Sequence, residues 1–215
     1  MIGEDLILKP EYRDLSQKLL EVFENIFDLK KNQKLVIGIA GESGSGKSIT
    51  AKGLELALKK NGIETLTIHQ DGYFNLPPMT NHERRMQSLK NVGVQEVNID
   101  LLHAHVMAFT AEADMIEVPV VHYSTNMIEK LQVSLKKVNV LIVEGTYVLG
   151  LDNLDWKLFL ARDYIQTREN RQKRSREKWT SFVEEVLKIE HEIITKHRRK
   201  ADLVINQKFE LIVEG

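Results

Sequence analysis

Residues 35–48 read Leu-Val-Ile-Gly-Ile-Ala-Gly-Glu-Ser-Gly-Ser-Gly-Lys-Ser. The first six are a continuous apolar run, the signature of a strand covered on both faces. The last eight, Gly41, Glu42, Ser43, Gly44, Ser45, Gly46, Lys47 and Ser48, satisfy G-x-x-x-x-G-K-[ST] at every fixed position. The chemistry of that pattern is specific. Glycines let backbone N–H groups turn inward around phosphate oxygens, and the following helix, which opens with Ile49, adds the positive end of its dipole. Lys47 supplies a mobile ammonium for β- and γ-phosphates, and the Ser48 hydroxyl is a ligand for Mg²⁺. The bland alternative is a Gly/Ser-rich strand-to-helix turn with an exposed lysine.

Outward from this stretch, apolar strands alternate with helical patterns. Leu15, Leu19, Val22, Phe23, Ile26 and Phe27 fall at helical spacing within 10–30, behind Pro10. Ile49–Lys60 reads as a helix stopped by Asn61-Gly62. Strands are expected at Thr65–His69, Val138–Val143, Trp156–Leu160 and Leu203–Asn206, and a strand or hairpin at Ile116–Tyr123. Residues 75–95 read as a long mobile loop with one helical piece. Asp100–Phe109 reads as a helix, residues 164–199 as charged and helical, and Phe209–Val213 as a segment pairing with something nearby. The fold class is α/β: a three-layer P-loop nucleoside triphosphate hydrolase fold, mainly parallel, with helices on both faces and a charged helical lid. Residues 1–33 form an N-terminal helical extension, and 34–215 the main domain, with the lid at about 162–180.

Composition narrows the function classes. With 30 basic and 31 acidic residues the net charge is −1, which argues against a general nucleic-acid binder. The absence of cysteine excludes disulfides, a thiolate nucleophile and a Cys-ligated zinc site. The acidic start Met1-Ile2-Gly3-Glu4-Asp5 is not that of a secretory leader, and no apolar run reaches the ~18 residues of a membrane span. A cytoplasmic setting is expected.

In an open α/β sheet, ligands gather beyond the carboxyl ends of strands, and two acids stand there. Glu144 closes Val140-Leu141-Ile142-Val143, where it either helps hold Mg²⁺ or caps the turn at Gly145. Asp71 follows the strand ending at His69, where it either takes the proton of an attacking hydroxyl or forms an Asp-Gly turn.

Taken together, Gly41–Ser48, Gln70-Asp71-Gly72-Tyr73-Phe74, Ile142-Val143-Glu144-Gly145-Thr146-Tyr147 and the closing Lys200-Ala201-Asp202-Leu203-Val204-Ile205 resemble the uridine kinase/phosphoribulokinase family, with pantothenate kinase a further relative. The resemblance runs from about residue 34 to 206. It implies transfer of the γ-phosphoryl group of ATP to a hydroxyl of a small metabolite. It also implies Asp71 as catalytic base, Glu144 near Mg²⁺, Lys47 on phosphate, and a lid carrying Arg168 or Arg171. The sequence departs from uridine kinases in two places. Asn91–Val97 stands where they carry a Phe-Asp-His-Pro-type segment, and Pro119-Val120 is followed by Val121-His122-Tyr123 rather than by a Tyr and an Asp.

Between Arg162 and Lys178 seven basic residues (Arg162, Arg168, Arg171, Lys173, Arg174, Arg176, Lys178) outweigh three acidic ones. Arginines on a closing segment stabilise charge on a moving phosphoryl group; the plain reading is a solvated helix with internal ion pairs. Tyr73, Phe74, Met79, Met86 and Tyr123 either line an acceptor pocket or pack the core, and Arg84 and Arg85 either meet an anionic acceptor or lie on the surface. His103 and His105, two apart on a helix, make a poor metal pair. A phosphate loop does not read the base, so GTP stays open as donor, as does a homo-oligomer. Two other classes remain: an ATPase or nucleotide-dependent switch without a small-molecule acceptor, and a nucleic-acid end kinase. A pantothenate- or sugar-type acceptor is the alternative to a nucleoside within the family.

Overall fold

The structure, a computed structural model, describes residues 8–28, 33–174 and 180–213. Its centre is a six-stranded sheet in the order β2-β5-β1-β6-β7-β8. These strands are β1 (Leu35–Gly41), β2 (Thr65–His69), β5 (Val140–Gly145), β6 (Trp156–Leu160), β7 (Leu203–Ile205) and β8 (Leu211–Ile212). All neighbours run parallel except the last pair, where β8 returns antiparallel to β7. The tail segment 209–213 thus finds its partner at the sheet edge.

Because side chains alternate along a strand, the apolar run of β1 feeds two cores. Leu35, Ile37 and Ile39 point to the face covered by α1 (Pro10–Ile26) and α2 (Lys47–Lys60), meeting Leu15, Leu19, Phe23, Leu54 and Leu58. Val36 and Ala40 point to the other face, with Leu102, Val106 and Phe109 of α4 (Ile99–Thr110). The α1 stripe is therefore seated in the main core. Ser16 of α1 rests so close to Gly53 of α2 that a Cβ there would meet Ser16 Oγ.

Residues 75–95 are more ordered than the expected loop. Helix α3 (Pro78–Gln87) begins after Pro77, and 3₁₀ turns at Leu89–Asn91 and Val94–Glu96 follow. The segment at 116–123 is one arm of a two-stranded antiparallel ribbon, β3 (Met115–His122) with β4 (Met127–Ser134). The charged region after β6 holds α5 (Arg168–Arg174) and α6 (Ser181–Ile194), α6 opening on a Thr180 cap that accepts from the Val183 N–H at 3.2 Å. Arg176 and Lys178 lie outside the described residues, as do residues 1–7 and 29–32.

Candidate active site

The phosphate loop joins β1 to α2. Gly44 (φ 78°) and Gly46 (φ 104°) adopt left-handed backbone that a side chain disfavours, so the motif's glycines are required by conformation. Space is equally tight. A Cβ on Gly46 would stand 2.6 Å from the Tyr12 hydroxyl of α1, and one on Gly44 would stand 2.9 Å from Arg171 Cγ. Lys47 Nζ donates to the Glu42 carbonyl at 3.0 Å, and the Ser45 N–H to the same carbonyl at 3.1 Å. Ser45 Oγ is buried with no hydrogen-bond partner among the described residues. Ile49, in the first turn of α2, is half-buried against the core.

Strand register assembles the next layer. His69 and Glu144 are direct partners across β2 and β5, and Ile39 of β1 flanks Glu144 on the other side. Glu144 Oε1 accepts from Ser48 Oγ at 3.0 Å and faces His69 Nδ1 at 2.5 Å. Burial alone pushes the Glu144 carboxyl up. The hydrogen bond and charge of His69, the charge of Lys47 and the Ser48 hydroxyl outweigh burial and hold it well below the ordinary carboxylate range. Glu144 is thus a carboxylate, and with Ser48 it offers oxygen donors of the kind a hard cation takes.

Asp71 lies two residues beyond His69 in the 3₁₀ turn Gln70–Tyr73. Gln70 is fully buried and fastens that turn to the end of β5. Its Nε2 donates to Thr146 Oγ1 at 3.0 Å, and its Oε1 accepts from the Tyr147 N–H at 2.8 Å. Gly72 passes so near β3 that a Cβ would meet the Pro119 carbonyl. Tyr123, in the ribbon turn, donates its hydroxyl to Asp71 Oδ2 at 2.5 Å. Asp71 and Tyr123 are therefore neighbours, both half-buried.

The other acceptor-side residues separate. Tyr73 is buried, its hydroxyl 2.8 Å from His105 Nδ1, and burial pushes the phenol far above its ordinary value and the imidazole below its own. Arg84 is exposed. Arg85 turns inward and holds Glu96 with a two-pronged grip, Nε to Oε1 at 2.5 Å and Nη2 to Oε2 at 2.8 Å, while also donating to Glu190 Oε1 at 2.8 Å. Met79 and Met86 are exposed.

In the segment expected to be a lid, Arg171 donates to the Ser43 carbonyl of the loop at 3.2 Å and to the Tyr164 carbonyl at 2.5 Å. Thr167 Oγ1 also donates to the Ser43 carbonyl, at 3.0 Å, and Asn170 Nδ2 to that of Gly44 at 3.3 Å. Arg168 is exposed. Arg162 lies over the Phe209 ring, 4.1 Å from its centre.

Residues at this site that carry no role in the sequence reading include His69, Gln70 and His191, whose Nδ1 lies 2.6 Å from Glu42 Oε1. For His69 a signal exists, since it occupies the ligand edge of β2 beside Asp71. Gln70 and His191 reach partners 77 and 149 residues away, which no local pattern discloses. Among the described residues no three His, Asp or Glu side chains form a metal cage, and no helix is long and apolar enough to cross a membrane.

A parallel sheet, a glycine-built loop at the carboxyl end of its central strand and a carboxylate touching the loop's serine define an α/β protein of the P-loop kinase fold. The chain belongs to the phosphoribulokinase/uridine kinase family, whose model matches residues 36–207. The bifunctional α-galactosidase/sucrose kinase of Mediterraneibacter gnavus is 27% identical over 205 residues, covering 88% of this chain and 22% of that protein. The uridine kinase of Staphylococcus epidermidis is 29% identical over 136 residues, covering 61% of this chain and 64% of that protein. The chain thus spans about a fifth of the first relative and somewhat under two thirds of the second. A solved structure described as a possible uridine kinase from Bacillus stearothermophilus superposes with a TM-score of 0.66 at 21% identity, covering 90% of this chain and 98% of that one; it speaks to the fold.

Proposed function

We propose that the protein transfers the γ-phosphoryl group of ATP to a hydroxyl of a small metabolite. The observation carrying this reading is the 3.0 Å contact between Ser48 Oγ and Glu144 Oε1, because it joins the phosphate loop to the strand edge from which Asp71 projects two residues after His69. The loop fits a triphosphate. Its glycines adopt the turns that expose N–H groups, Ser45 Oγ has no partner among the described residues, and Lys47 Nζ lies on the loop itself, against the Glu42 carbonyl. Ser48 and Glu144 suit Mg²⁺, which keeps water and phosphate oxygens around few protein ligands. When bound, Mg²⁺ neutralises charge developing on the phosphates.

In this reading Lys47 and the loop N–H groups hold the phosphates in line with the acceptor. Asp71 accepts the acceptor's hydroxyl proton as its oxygen attacks, and Tyr123 orients the carboxylate. Arg171 braces the loop, and Arg168 reaches the transferring group when the segment at about 162–180 closes and excludes water. Residues 34–215 form the kinase domain, and the helix of the N-terminal extension buttresses the loop. The cytoplasm, where ATP and free metabolites meet, is the assigned setting.

A nucleoside acceptor of the uridine kinase type is one version. A sugar-type acceptor is the second, favoured by the relative named a sucrose kinase, which aligns over 88% of this chain, against 61% for the uridine kinase. The departures at Asn91–Val97 and Val121–Tyr123 count against the nucleoside version without choosing another acceptor. A coupled ADP-release assay with Mg·ATP against nucleosides, sucrose, monosaccharides, pantothenate and glycerate tests the proposal. Release dependent on one of these is expected. Stoichiometric hydrolysis indifferent to the whole panel supports the switch reading instead.

A further inference from the structure

We infer that His191 is a positioning residue for the phosphate loop, and that α6 thereby couples the loop to α3 on the opposite wall. The inference rests on the reading that the loop holds a triphosphate, and it concerns residues which that reading leaves without a role.

Glu42 is the second residue of the loop and is only 4% exposed. One carboxylate oxygen, Oε1, lies 2.6 Å from His191 Nδ1. The other, Oε2, is buried with no hydrogen-bond partner among the described residues. Burial pushes this carboxyl above its ordinary value; the hydrogen bond and charge of His191, and to a lesser degree a hydrogen bond from the Tyr164 main chain, oppose that push. The histidine is thus the principal polar anchor of a buried side chain. The main chain of the same residue matters directly, because the Glu42 carbonyl accepts from both Lys47 Nζ and the Ser45 N–H. Fixing the Glu42 side chain therefore fixes the carbonyl on which the loop's lysine and one of its amides converge.

His191 is itself held. Tyr164 meets its ring edge-on, with centroids 5.6 Å apart, and α6 is keyed into the core by Val186, Leu187 and Ile194. The preceding residue, Glu190, reaches the other way and accepts from Arg85 of α3 at 2.8 Å. Successive side chains on a helix diverge by about 100°, so two adjacent positions can grip two different walls. The N-terminal turn of α3 is in turn tied to the ribbon that carries Tyr123, through the Met79 N–H donating to Asn126 Oδ1 at 2.7 Å. A displacement of α6 must move the phosphate loop and the acceptor-side helix together.

The test is calorimetric titration of the full chain with Mg·ATP in the absence of acceptor, with melting temperatures recorded in parallel. His191→Ala is expected to weaken ATP binding about tenfold, the scale of a hydrogen bond to a charged group. His191→Asn keeps an N–H near the Nδ1 position and is expected to stay within about threefold of the parent. Glu190→Gln touches no loop residue yet is expected to weaken ATP binding about threefold through the coupling. Lys47→Ala is the control. If Lys47→Ala loses ATP while His191→Ala retains parental affinity, the inference is overturned and the kinase reading stands; if Lys47→Ala binds ATP like the parent, the kinase reading itself falls. Equal losses in His191→Ala and His191→Asn would also overturn the inference, because packing rather than the nitrogen would then be responsible. Should His191→Ala not fold, His191→Leu takes its place, since it fills the site without a hydrogen-bonding nitrogen. Parental affinity in that variant again overturns the inference.

Discussion

The Tyr123 hydroxyl donates to Asp71 Oδ2 across 2.5 Å, linking the turn of the β3–β4 ribbon to the segment that leaves β2. A carboxylate that must accept a proton from a particular direction benefits from having its other oxygen held. Tyr123→Phe keeps the ring and removes the bond. We expect kcat to fall about tenfold, the scale of one hydrogen bond to a charged group, with the KM for ATP unchanged. Steady-state kinetics with the acceptor found in the panel checks this; a parental kcat would mean that the tyrosine does not orient Asp71.

On the proposed base role, Asp71→Asn removes the proton acceptor and keeps the shape. General-base assistance is worth about 10²–10⁴-fold, so kcat is expected to drop into that range while calorimetric ATP affinity stays close to parental. Loss of ATP binding would instead give Asp71 a role in holding the nucleotide.

Glu144 makes the stability of the fold sensitive to acid. Its carboxyl is held well below the ordinary value by His69, Lys47 and Ser48 against the opposing effect of burial. A depressed folded-state pKa contributes stability that is fully present above the unfolded value of 4.5 and is lost as pH falls towards the folded value of about 2. The melting temperature should therefore fall as pH drops below about 4.5, and Glu144→Gln should flatten that part of the curve. Parallel acid slopes for the two proteins would show that Glu144 is not depressed. The same variant should need a higher Mg²⁺ concentration for half-maximal turnover.

The two arginines proposed to act on the phosphates separate by their surroundings. Arg171 is committed to carbonyls of Ser43 and Tyr164, whereas Arg168 is exposed. Arg171→Ala should raise the KM for ATP about tenfold, with a smaller change in kcat. Arg168→Ala should lower kcat about a hundredfold with little change in that KM. The opposite split would exchange their roles.

What the chain discloses before folding follows its burial. β1 and β5 could be read directly because strands covered on both faces are apolar throughout their runs, β2 and β6 because their short β-branched or aromatic stretches stand between turn residues, and the phosphate loop because its glycines and lysine have specific work. β4 could not, since nearly all of Met127–Ser134 faces solvent and Glu129 and Lys130 interrupt its alternation. α3 was read only as one helical piece within 75–95, without bounds, for a related reason: apart from Pro78, Met79 and Met86 its residues are polar, and its one buried residue is Asn81. At the site, local signals pointed to Asp71 and Glu144, which stand at strand ends. Tyr73 stood between pocket and core, and Arg85 between acceptor and surface, because their partners, His105, Glu96 and Glu190, come from elements that only tertiary packing brings near.

Arg85 bears on stability through a buried ion-pair cluster. It is the cation between two buried carboxylates, Glu96 and Glu190, and Glu96 also accepts from Asn81 Nδ2 at 2.9 Å and from the Gly93 N–H at 2.7 Å. Burial disfavours the guanidinium charge, and the two glutamates more than offset this, so the group stays firmly protonated. Arg85→Met fills similar space and leaves both carboxylates without their cation. Breaking a buried pair from one side costs about 3 kcal/mol or more, which for a chain of this size lowers the melting temperature by about 10 °C. Adding Glu190→Met removes one stranded charge and should recover part of the loss, because apolar replacement of a buried ion pair is often close to neutral. Scanning calorimetry on the single and double variants decides the matter: a single variant melting within a degree or two of the parent would show that the cluster contributes little to the fold.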